Sequence, residues 1–501
     1  MNIKSKKYLF NLVGGSIVII WLIMIGVLIK NVNFNNDGED ADAIAKKPAA
    51  VRSHQQDWME IYLKGKKVGY SVNQASPVGE DYLIQEEIFL RLNLMGQASS
   101  IHTTTRAVVD HEFLLKNFRF RMNSGVVTFQ ASGRVEGNQM VLEIGEGAGR
   151  RGESITLPEP PVIGSGMAQF FKGQLIEVGQ SFKFPVFDPS TFSQKQMVIK
   201  VKARETITIS GIKYETFRLE SEMWGQPMTF WLDQSGVVLK EEGFMGLTLV
   251  KSNPARAPRD IEGSGGSDFY RLAAIKLNRK LPHADRLRYL KLRAEGLDKA
   301  HFDTHILNSG RQRLQGGIIE IVQENSPLHA TYTLPYSGQS GKITPFLKPE
   351  LNVESDDRAI TEKAHEIIGD EKDPLTAARQ LMDWVYSHVE KRPVISVPSA
   401  LEVLKSRVGD CNEHAVLLTA LLRAAGIPAR LCVGLVYAKE GFFYHAWIES
   451  WLGEWISMDP TLNQMPVDAT HIKLVHGGLD KQVEILGLIG KLRLEIIDYR
   501  E

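Results

Sequence analysis

The chain has 501 residues, a length that normally divides into about three domains rather than one hydrophobic core. Apolar residues make up 43% and charged residues 24% of it, which is typical of a folded protein and excludes a disordered or collagen-like chain. Lysine plus arginine equals aspartate plus glutamate at 59 each, so we predict no nucleic-acid partner. Two cysteines are too few for a disulfide framework, so each is considered by itself.

An uncharged apolar stretch lies near the N-terminus, at residues 8–29. As a helix it would be about 33 Å long, enough for a hydrocarbon core of about 30 Å. Lysines precede it and acidic residues follow it, so the positive-inside rule keeps the N-terminus in the cytoplasm. A cleaved signal peptide is the alternative, but its apolar region would be shorter. The pattern predicts a single-pass membrane protein that contacts the lipid bilayer through residues 8–29 and exports the rest of its chain.

Composition and periodicity also predict where the domains begin and end. Short alternating runs with turn signals predict a mainly antiparallel β domain, and a segment rich in Pro, Gly and Ser predicts a boundary after it. The predicted parts are a cytoplasmic tip with the transmembrane helix (1–30), a polar tether (31–56), a β-rich exported domain (57–250), a linker (251–268), a small β module (269–350) and a cysteine domain (351–501).

From about residue 355 the apolar period changes toward 3.6, which predicts helices. Ser355, Asp373 and Ser399 are each suited to cap a helix N-terminus. A fourth helix is predicted to begin at Cys411 and to end at Gly426. Strand-like sequences follow it, so this part reads as helices followed by antiparallel strands, an α+β arrangement.

Cys411 has the surroundings expected of a nucleophile, since it stands at the start of the fourth predicted helix. The unpaired N–H groups and the positive dipole end at that position favour a thiolate. We therefore expect the Cys411 pKa to lie below its free value, as acyl transfer through sulfur requires. The same N–H groups could also bind an oxyanion.

A base and a group to orient it follow in the strands. His445 comes 34 residues after Cys411, and Asp459 comes 14 residues after His445. If the two strands pair through a turn at Leu452 and Gly453, the histidine and aspartate are neighbours offset by about one residue. That offset places them on opposite faces of a regular ladder, so a bulge or a longer turn around Gly453 is needed. A carboxylate beside the imidazole would orient its ring and stabilise the imidazolium.

The ordered motifs GDCNEHAVLLTALLRAAGIPAR, HAWIE and WISMDPT resemble the core of the transglutaminase-like superfamily, over roughly residues 355–480. The resemblance implies a papain-like fold, with Cys411 as nucleophile, His445 as general base and acid, and Asp459 as orienting carboxylate. Bacterial members are commonly exported or membrane-attached, which implies the inner membrane, with the bulk of the chain in the periplasm. The family contains transamidases, proteases, amidases and members without demonstrated activity, so membership alone does not choose the reaction.

Alternatives to this site remain open. His414 lies three residues after Cys411 on the same helix face and could serve as the base, although a contact that fixes the helix is favoured. Cys411, His414, His445 and Asp459 could bind zinc, but a Cys-x-x-His without a second matching pair is weak evidence. Cys432 stands among apolar residues of a predicted strand and is predicted to be a core residue.

The predicted fold class is therefore α+β, with a papain-like transglutaminase core preceded by two mainly antiparallel β modules and one N-terminal transmembrane helix. The predicted function is that of a membrane-anchored, exported thiol acyltransferase or hydrolase. It would act on amide bonds of peptides or proteins of the cell envelope through a thioester, without a cofactor. Water would make it a protease or amidase, and an amine would make it a transamidase. The alternative is a non-catalytic envelope scaffold or binding protein that keeps the fold.

Overall fold

The computed structural model describes residues 51, 53–94, 96–125, 127–145, 150–243, 246–264, 274–297, 302–325, 330–394, 396–397 and 399–501. Strands hold 48% of these residues and helices 17%. The predicted tip and transmembrane helix (1–30), and with them the lipid contact of residues 8–29, lie outside the described residues, as does most of the tether (31–56).

The strands are numbered here in chain order. They are β1 (Gln55–Leu63), β2 (Lys66–Val78), β3 (Asp81–Leu94), β4 (Gln97–Val109), β5 (Leu115–Asn123), β6 (Thr128–Glu136), β7 (Gln139–Ile144), β8 (Arg151–Thr156), β9 (Val162–Ile163), β10 (Ser181–Asp188), β11 (Ser193–Ile209), β12 (Ile212–Met223), β13 (Gln226–Leu232), β14 (Val238–Glu242), β15 (Leu247–Ser252), β16 (Ile275–Lys276), β17 (Tyr289–Glu295), β18 (Gln312–Gln315), β19 (Ile318–Val322), β20 (Glu390–Lys391), β21 (Val408–Gly409), β22 (Ala429–Ala438), β23 (Gly441–Trp451), β24 (Trp455–Met458), β25 (Ile472–His476) and β26 (Arg493–Arg500).

Helices are fewer and cluster in the C-terminal part of the chain. The α-helices are α1 (Gly164–Phe170), α2 (Thr304–Leu307), α3 (Arg358–Ile368), α4 (Pro374–His388), α5 (Ala400–Ser406), α6 (Cys411–Ala424) and α7 (Leu479–Gln482), and 3-10 turns occur at Ala284–Arg286, Thr344–Leu347 and Val483–Leu488.

A single sheet of 15 strands takes up the N-terminal part of the described chain. Its order is β8-β7-β6-β5-β4-β3-β2-β1-β15-β14-β13-β12-β11-β10-β9, so most neighbours in sequence are also neighbours in space. The first and last strands of this meander in sequence, β1 and β15, pair with each other in the middle of the sheet. Strand β9, at one edge, pairs with β10 in parallel. Buried and exposed side chains alternate along strands such as β7, as expected where one face of a sheet is buried.

The C-terminal part contains two smaller sheets packed with helices α3 to α6. One has the order β16-β23-β22-β25, with β24 added beside β23, and the other has the order β18-β19-β17-β26. Both sheets and the four helices contribute to one hydrophobic cluster. Strands from the range 269–350, predicted to form a small β module, therefore share a core with the cysteine domain, and the C-terminal strand β26 completes their sheet.

Helix α6 lies at the centre of this cluster, and its residues from 413 to 423 are all buried. Of the predicted caps, Asp373 and Ser399 precede α4 and α5 and accept hydrogen bonds from first-turn N–H groups. Helix α3 begins two residues later than the Ser355 prediction requires, because Asp357 accepts the N–H of Ala359 and caps it instead. The cysteine helix begins at Cys411, as expected.

The predicted fold class is wrong and is corrected here. The sequence predicted an α+β protein with a papain-like core, two separate β modules and a transmembrane helix, whereas the described chain is mostly β and dominated by the 15-stranded sheet. The error has a physical cause, since sequence periodicity identifies strands but does not report which distant strands pair. The papain-like core is only partly supported.

The predicted location in the inner membrane is not supported either. Within the described residues, no helix combines the length and the apolar content that crossing a bilayer requires. The longest of them, α4, has 15 residues and rises about 22 Å, against about 30 Å of hydrocarbon.

Candidate active site

Cys411 is the first residue of α6, and a reciprocal pair of hydrogen bonds fixes this end of the helix. The Asp410 carboxylate accepts the N–H of Asn412 at 2.9 Å, and the Glu413 carboxylate accepts the N–H of Asp410 at 2.9 Å. This is a capping box, which sets where the helix starts and therefore where the sulfur lies. Ser396 donates a further hydrogen bond to Glu413.

Burial raises the Cys411 pKa well above its usual value, and Asp410 acts in the same direction. The backbone N–H of Ala446, on β23, lies near enough to the thiol to lower the pKa in part. The lowered pKa expected from the sequence is therefore wrong for the resting protein, because the burial of the thiol outweighs the favourable end of the helix.

His445, on β23, and Asp459, directly after β24, form a hydrogen bond in the protein interior. The distance from His445 Nε2 to Asp459 Oδ2 is 2.6 Å. The other oxygen of Asp459, Oδ1, accepts the backbone N–H groups of Thr461 at 2.7 Å and Leu462 at 3.1 Å. Burial alone would raise the Asp459 pKa, but His445 and a second histidine, His471, hold it below its usual value through their charge and their hydrogen bonds. Asp459 is thus an ionised, fixed partner for the imidazole.

The turn between β23 and β24 explains how these two side chains meet. Ile448 pairs with Met458 and Trp451 with Trp455, so the hairpin is centred on Gly453 and its turn is one residue longer than a two-residue turn. A centre on Gly453 makes the offset between His445 and Asp459 an even number of residues, which returns both side chains to one face. The longer turn that the sequence argument required is present.

Replacing Gly453 with alanine should disrupt this arrangement. Gly453 has φ of +106°, and an added Cβ would lie 2.5 Å from the Oγ1 atom of Thr331. We expect the substitution to lower the free energy of unfolding by about 2 to 5 kcal/mol, from backbone strain and overpacking together, as measured by urea denaturation. Gly79→Ala is the matched control, because Gly79 has φ of +62° and open space around it, so only the strain remains. Equal losses in both variants would contradict the steric role of Thr331.

A second histidine, which the sequence argument did not single out, completes the site. His471 Nε2 lies 3.1 Å from Asp459 Oδ2, and His471 Nδ1 lies 3.3 Å from Asp468 Oδ1. Its ring also meets the edge of the Trp447 indole, with 5.3 Å between the ring centroids. The sequence signal for this part of the site was Asp468, which stands three residues before His471 and just ahead of a strand. That spacing is common in proteins and does not by itself indicate a functional site.

The structure also shows where His414 and Cys432 lie and whether a zinc site can form. His414 turns to the backbone, with Nδ1 2.6 Å from the carbonyl oxygen of Asp410 and Nε2 3.3 Å from that of Val389. Burial lowers its pKa, against the opposite effect of these two carbonyl groups, and the two contacts help to fix α6. Among the described residues, the clusters of side chains close enough to share a metal ion include neither Cys411 nor His414. Cys411, His414, His445 and Asp459 therefore do not come together as a zinc site. Cys432 is fully buried.

The part of the chain that contains Cys411 and His445 is similar to known proteins. Residues 361–460 match the transglutaminase-like superfamily. An uncharacterized protein of Mycobacterium leprae is 32% identical over 84 residues, which cover 15% of this chain and 30% of that one. A protein-glutamine gamma-glutamyltransferase of Pseudomonas aeruginosa is 37% identical over 73 residues, covering 12% and 11%. The chain therefore spans less than a third of the length of the curated relatives it matches.

Among solved structures, a candidate cysteine protease of Cytophaga hutchinsonii matches with 19% identity and a TM-score of 0.29. The match covers 42% of this chain and 86% of that one.

Proposed function

Because residues 361–460 belong to the transglutaminase-like superfamily, we propose that this protein is an enzyme that transfers the acyl group of an amide through Cys411. The observation that supports it best is the buried hydrogen bond between His445 and Asp459. The charge of Asp459 and the backbone N–H of Ala446, the residue next to His445, both act on the Cys411 thiol, so the thiol and the imidazole belong to the same small region. The substrate class is a peptide or protein, since these carry the amide bonds that such a site attacks.

The proposed reaction has two halves. In the first, His445 takes the thiol proton, the sulfur attacks the amide carbonyl carbon, and the carbon–nitrogen bond breaks as His445 returns the proton to the leaving amine. In the second, water or a second amine attacks the thioester and releases Cys411 as a thiol. Asp459 keeps the ring of His445 in position and stabilises its cation in both halves. Water makes the enzyme a protease or amidase, and an amine makes it a transamidase.

The raised pKa of Cys411 determines when the proton moves. A thiol whose pKa is raised in this way keeps its proton at rest, so the transfer of that proton to His445 accompanies the attack on the substrate. We therefore expect His445 to act as a true general base rather than as half of a standing thiolate–imidazolium pair.

The capping of α6 also limits which groups can stabilise the oxyanion. Asp410 holds the N–H groups of Asn412, Glu413 and His414 through its side chain and its carbonyl oxygen. Of the amides in this first turn, the one left to a substrate oxygen is that of Cys411 itself. An oxyanion would accept that N–H, the donor nearest to the carbon under attack.

Acylation by an activated ester tests the proposal without a known substrate. The full chain is incubated with p-nitrophenyl acetate, and intact mass and peptide mapping locate the acetyl group. We expect a hydroxylamine-sensitive thioester on Cys411 in the wild-type protein and in the Cys432→Ser control, and none on that peptide in Cys411→Ala. An added primary amine should shorten the life of the thioester if the enzyme is a transamidase. Acylation elsewhere, unchanged by Cys411→Ala, would reject the proposal.

A non-catalytic binding protein is the second candidate, because the buried, protonated Cys411 is also what a retired active site would contain. The rate of acylation in His445→Ala separates the two functions. A general base contributes about 10²- to 10⁴-fold, so an enzyme should lose that factor, whereas an incidental thiol should react at an unchanged rate.

A further inference from the structure

His471 is almost fully buried, and both nitrogens of its ring face carboxylates. Its side chain lies between Asp459 on one side and Asp468 on the other. An ionised carboxylate can only accept hydrogen bonds, so both contacts are satisfied at once only when both ring nitrogens carry a proton. The geometry therefore favours the imidazolium, which is one cation between two anions.

The two carboxylates are held in the ionised form by further donors. Asp468 Oδ1 accepts the N–H of Thr470 at 2.8 Å and its hydroxyl at 2.6 Å, and Oδ2 accepts the side-chain amide of Gln464 at 2.8 Å. Although burial alone would raise it, the Asp468 pKa falls to about 2. Burial alone would lower the His471 pKa, but Asp459 and Asp468 raise it to about 9.

From this arrangement we propose that His471 is a positioning residue, a permanent cation that holds Asp459 in place so that this carboxylate keeps the ring of His445 oriented. The inference deepens the proposed function and rests on it for the role of His445. Both histidines contact the same oxygen, Oδ2 of Asp459. The contact with His471 therefore restricts rotation of the carboxylate away from His445.

Charge balance supports this role. Asp459 and Asp468 carry two negative charges, and His471 lies between them with one positive charge. Arg311, a buried cation that donates to the backbone carbonyl oxygen of Asp468, interacts with the Asp468 charge as well. The ring centroids of His445 and His471 are 5.7 Å apart, and one oxygen of Asp459 contacts both rings. Cys411 and Lys391 also interact with the charge of Asp459.

The test uses the full chain with ¹⁵N-labelled histidine and follows the ring nitrogens by NMR from pH 5 to 10. In the wild type, we expect both His471 nitrogens to stay protonated until about pH 9. His471→Gln keeps an amide donor but removes the charge, so Asp459 should hold the ring of His445 less firmly and the acylation of Cys411 should slow by up to about 10²-fold. The same ¹⁵N spectra should show a changed ratio of the two His445 ring tautomers, which a purely structural role of His471 would not alter.

Stability supplies a readout that does not depend on turnover. The His471 pKa is raised from 6.5 to about 9, so the histidine's contribution to stability is fully present below pH 6.5 and is lost as the pH rises through 9. The wild type should therefore lose stability over that interval, and His471→Gln should not. His476→Gln is the matched control, since His476 is the last residue of β25, the strand that begins directly after His471, but faces Glu449.

Two results would overturn the inference: loss of a His471 ring proton near pH 6.5, or an unchanged rate of Cys411 acylation in His471→Gln. If that variant fails to fold, the inference is tested by the titration of His471 in the wild type and in Asp468→Asn. Asp468→Asn should lower the His471 pKa while leaving the contact between His471 and Asp459 in place. Failure of Cys411 to form an acyl-enzyme would reject the proposed function, while the charge state of His471 would still be measured.

Discussion

Replacing Asp459 with asparagine is expected to slow the acylation of Cys411 by about 10³- to 10⁴-fold while leaving the fold intact. Asparagine has the same shape, but its amide is neutral and cannot accept from two histidine rings through one oxygen with the strength of a carboxylate. His445 would lose the partner that fixes its tautomer and stabilises its cation, the effect on rate that such a substitution has in acyl-transfer triads. The measurement is the rate of thioester formation with p-nitrophenyl acetate, followed by intact mass.

A second variant separates orientation from stability. Asp459→Ala leaves the His471 cation buried with one anion and removes the acceptor of two backbone N–H groups, so we expect a loss of about 3 to 5 kcal/mol in the free energy of unfolding. Asp498→Asn, an exposed aspartate of β26, serves as the surface control and should change neither quantity. Acylation of Asp459→Asn at the wild-type rate would mean that this carboxylate does not orient the base.

The elements of this site that are local in sequence could be predicted. The start of the cysteine helix follows from Asp410 and Glu413, whose side chains and spacing make a capping box of four residues. The proximity of His445 and Asp459 follows from a hairpin, which is also a short-range structure. Such features depend on a few neighbouring residues, and a sequence contains all of the information they need.

What could not be predicted depends on the length of one turn and on distant pairings. Two-residue and three-residue turns both fit Leu452 and Gly453, yet only the three-residue turn brings His445 and Asp459 to one face. Strand β26 pairs with β17 about 200 residues earlier, which no periodicity records. The Cys411 pKa depends on which groups surround the sulfur after folding, so a helix-dipole argument from sequence gave the wrong direction.

The C-terminal domain carries a second buried ionic cluster, centred on Glu449 of β23. Its carboxylate accepts from Arg430 Nε at 2.8 Å and from Lys473 Nζ at 2.6 Å, and His476 Nε2 lies 3.2 Å away. Burial alone would raise the Glu449 pKa, but Lys473 and the other cationic partners hold it well below its usual value. A single anion therefore compensates two buried cations.

Glu449→Gln should be among the most destabilising isosteric changes in this domain. It leaves Arg430 and Lys473 without their anion, and breaking a buried pair in this way costs about 3 to 5 kcal/mol in the free energy of unfolding, measured by urea denaturation. Adding Lys473→Met should recover part of the loss, because it removes one uncompensated charge. Glu440→Gln is the control, since its partner Lys280 is exposed and their ion pair should contribute little.

The pH dependence of stability gives an independent check on the same cluster. The Glu449 pKa is depressed on folding, so the stability it contributes is present above its unfolded pKa of about 4.5 and is lost as the pH falls toward the folded value. The wild type should lose this contribution in acid, and Glu449→Gln should show a flatter profile below pH 4.5. Parallel profiles for the two proteins would mean that Glu449 carries no depressed pKa, and the cluster would then hold the strands by shape rather than by charge.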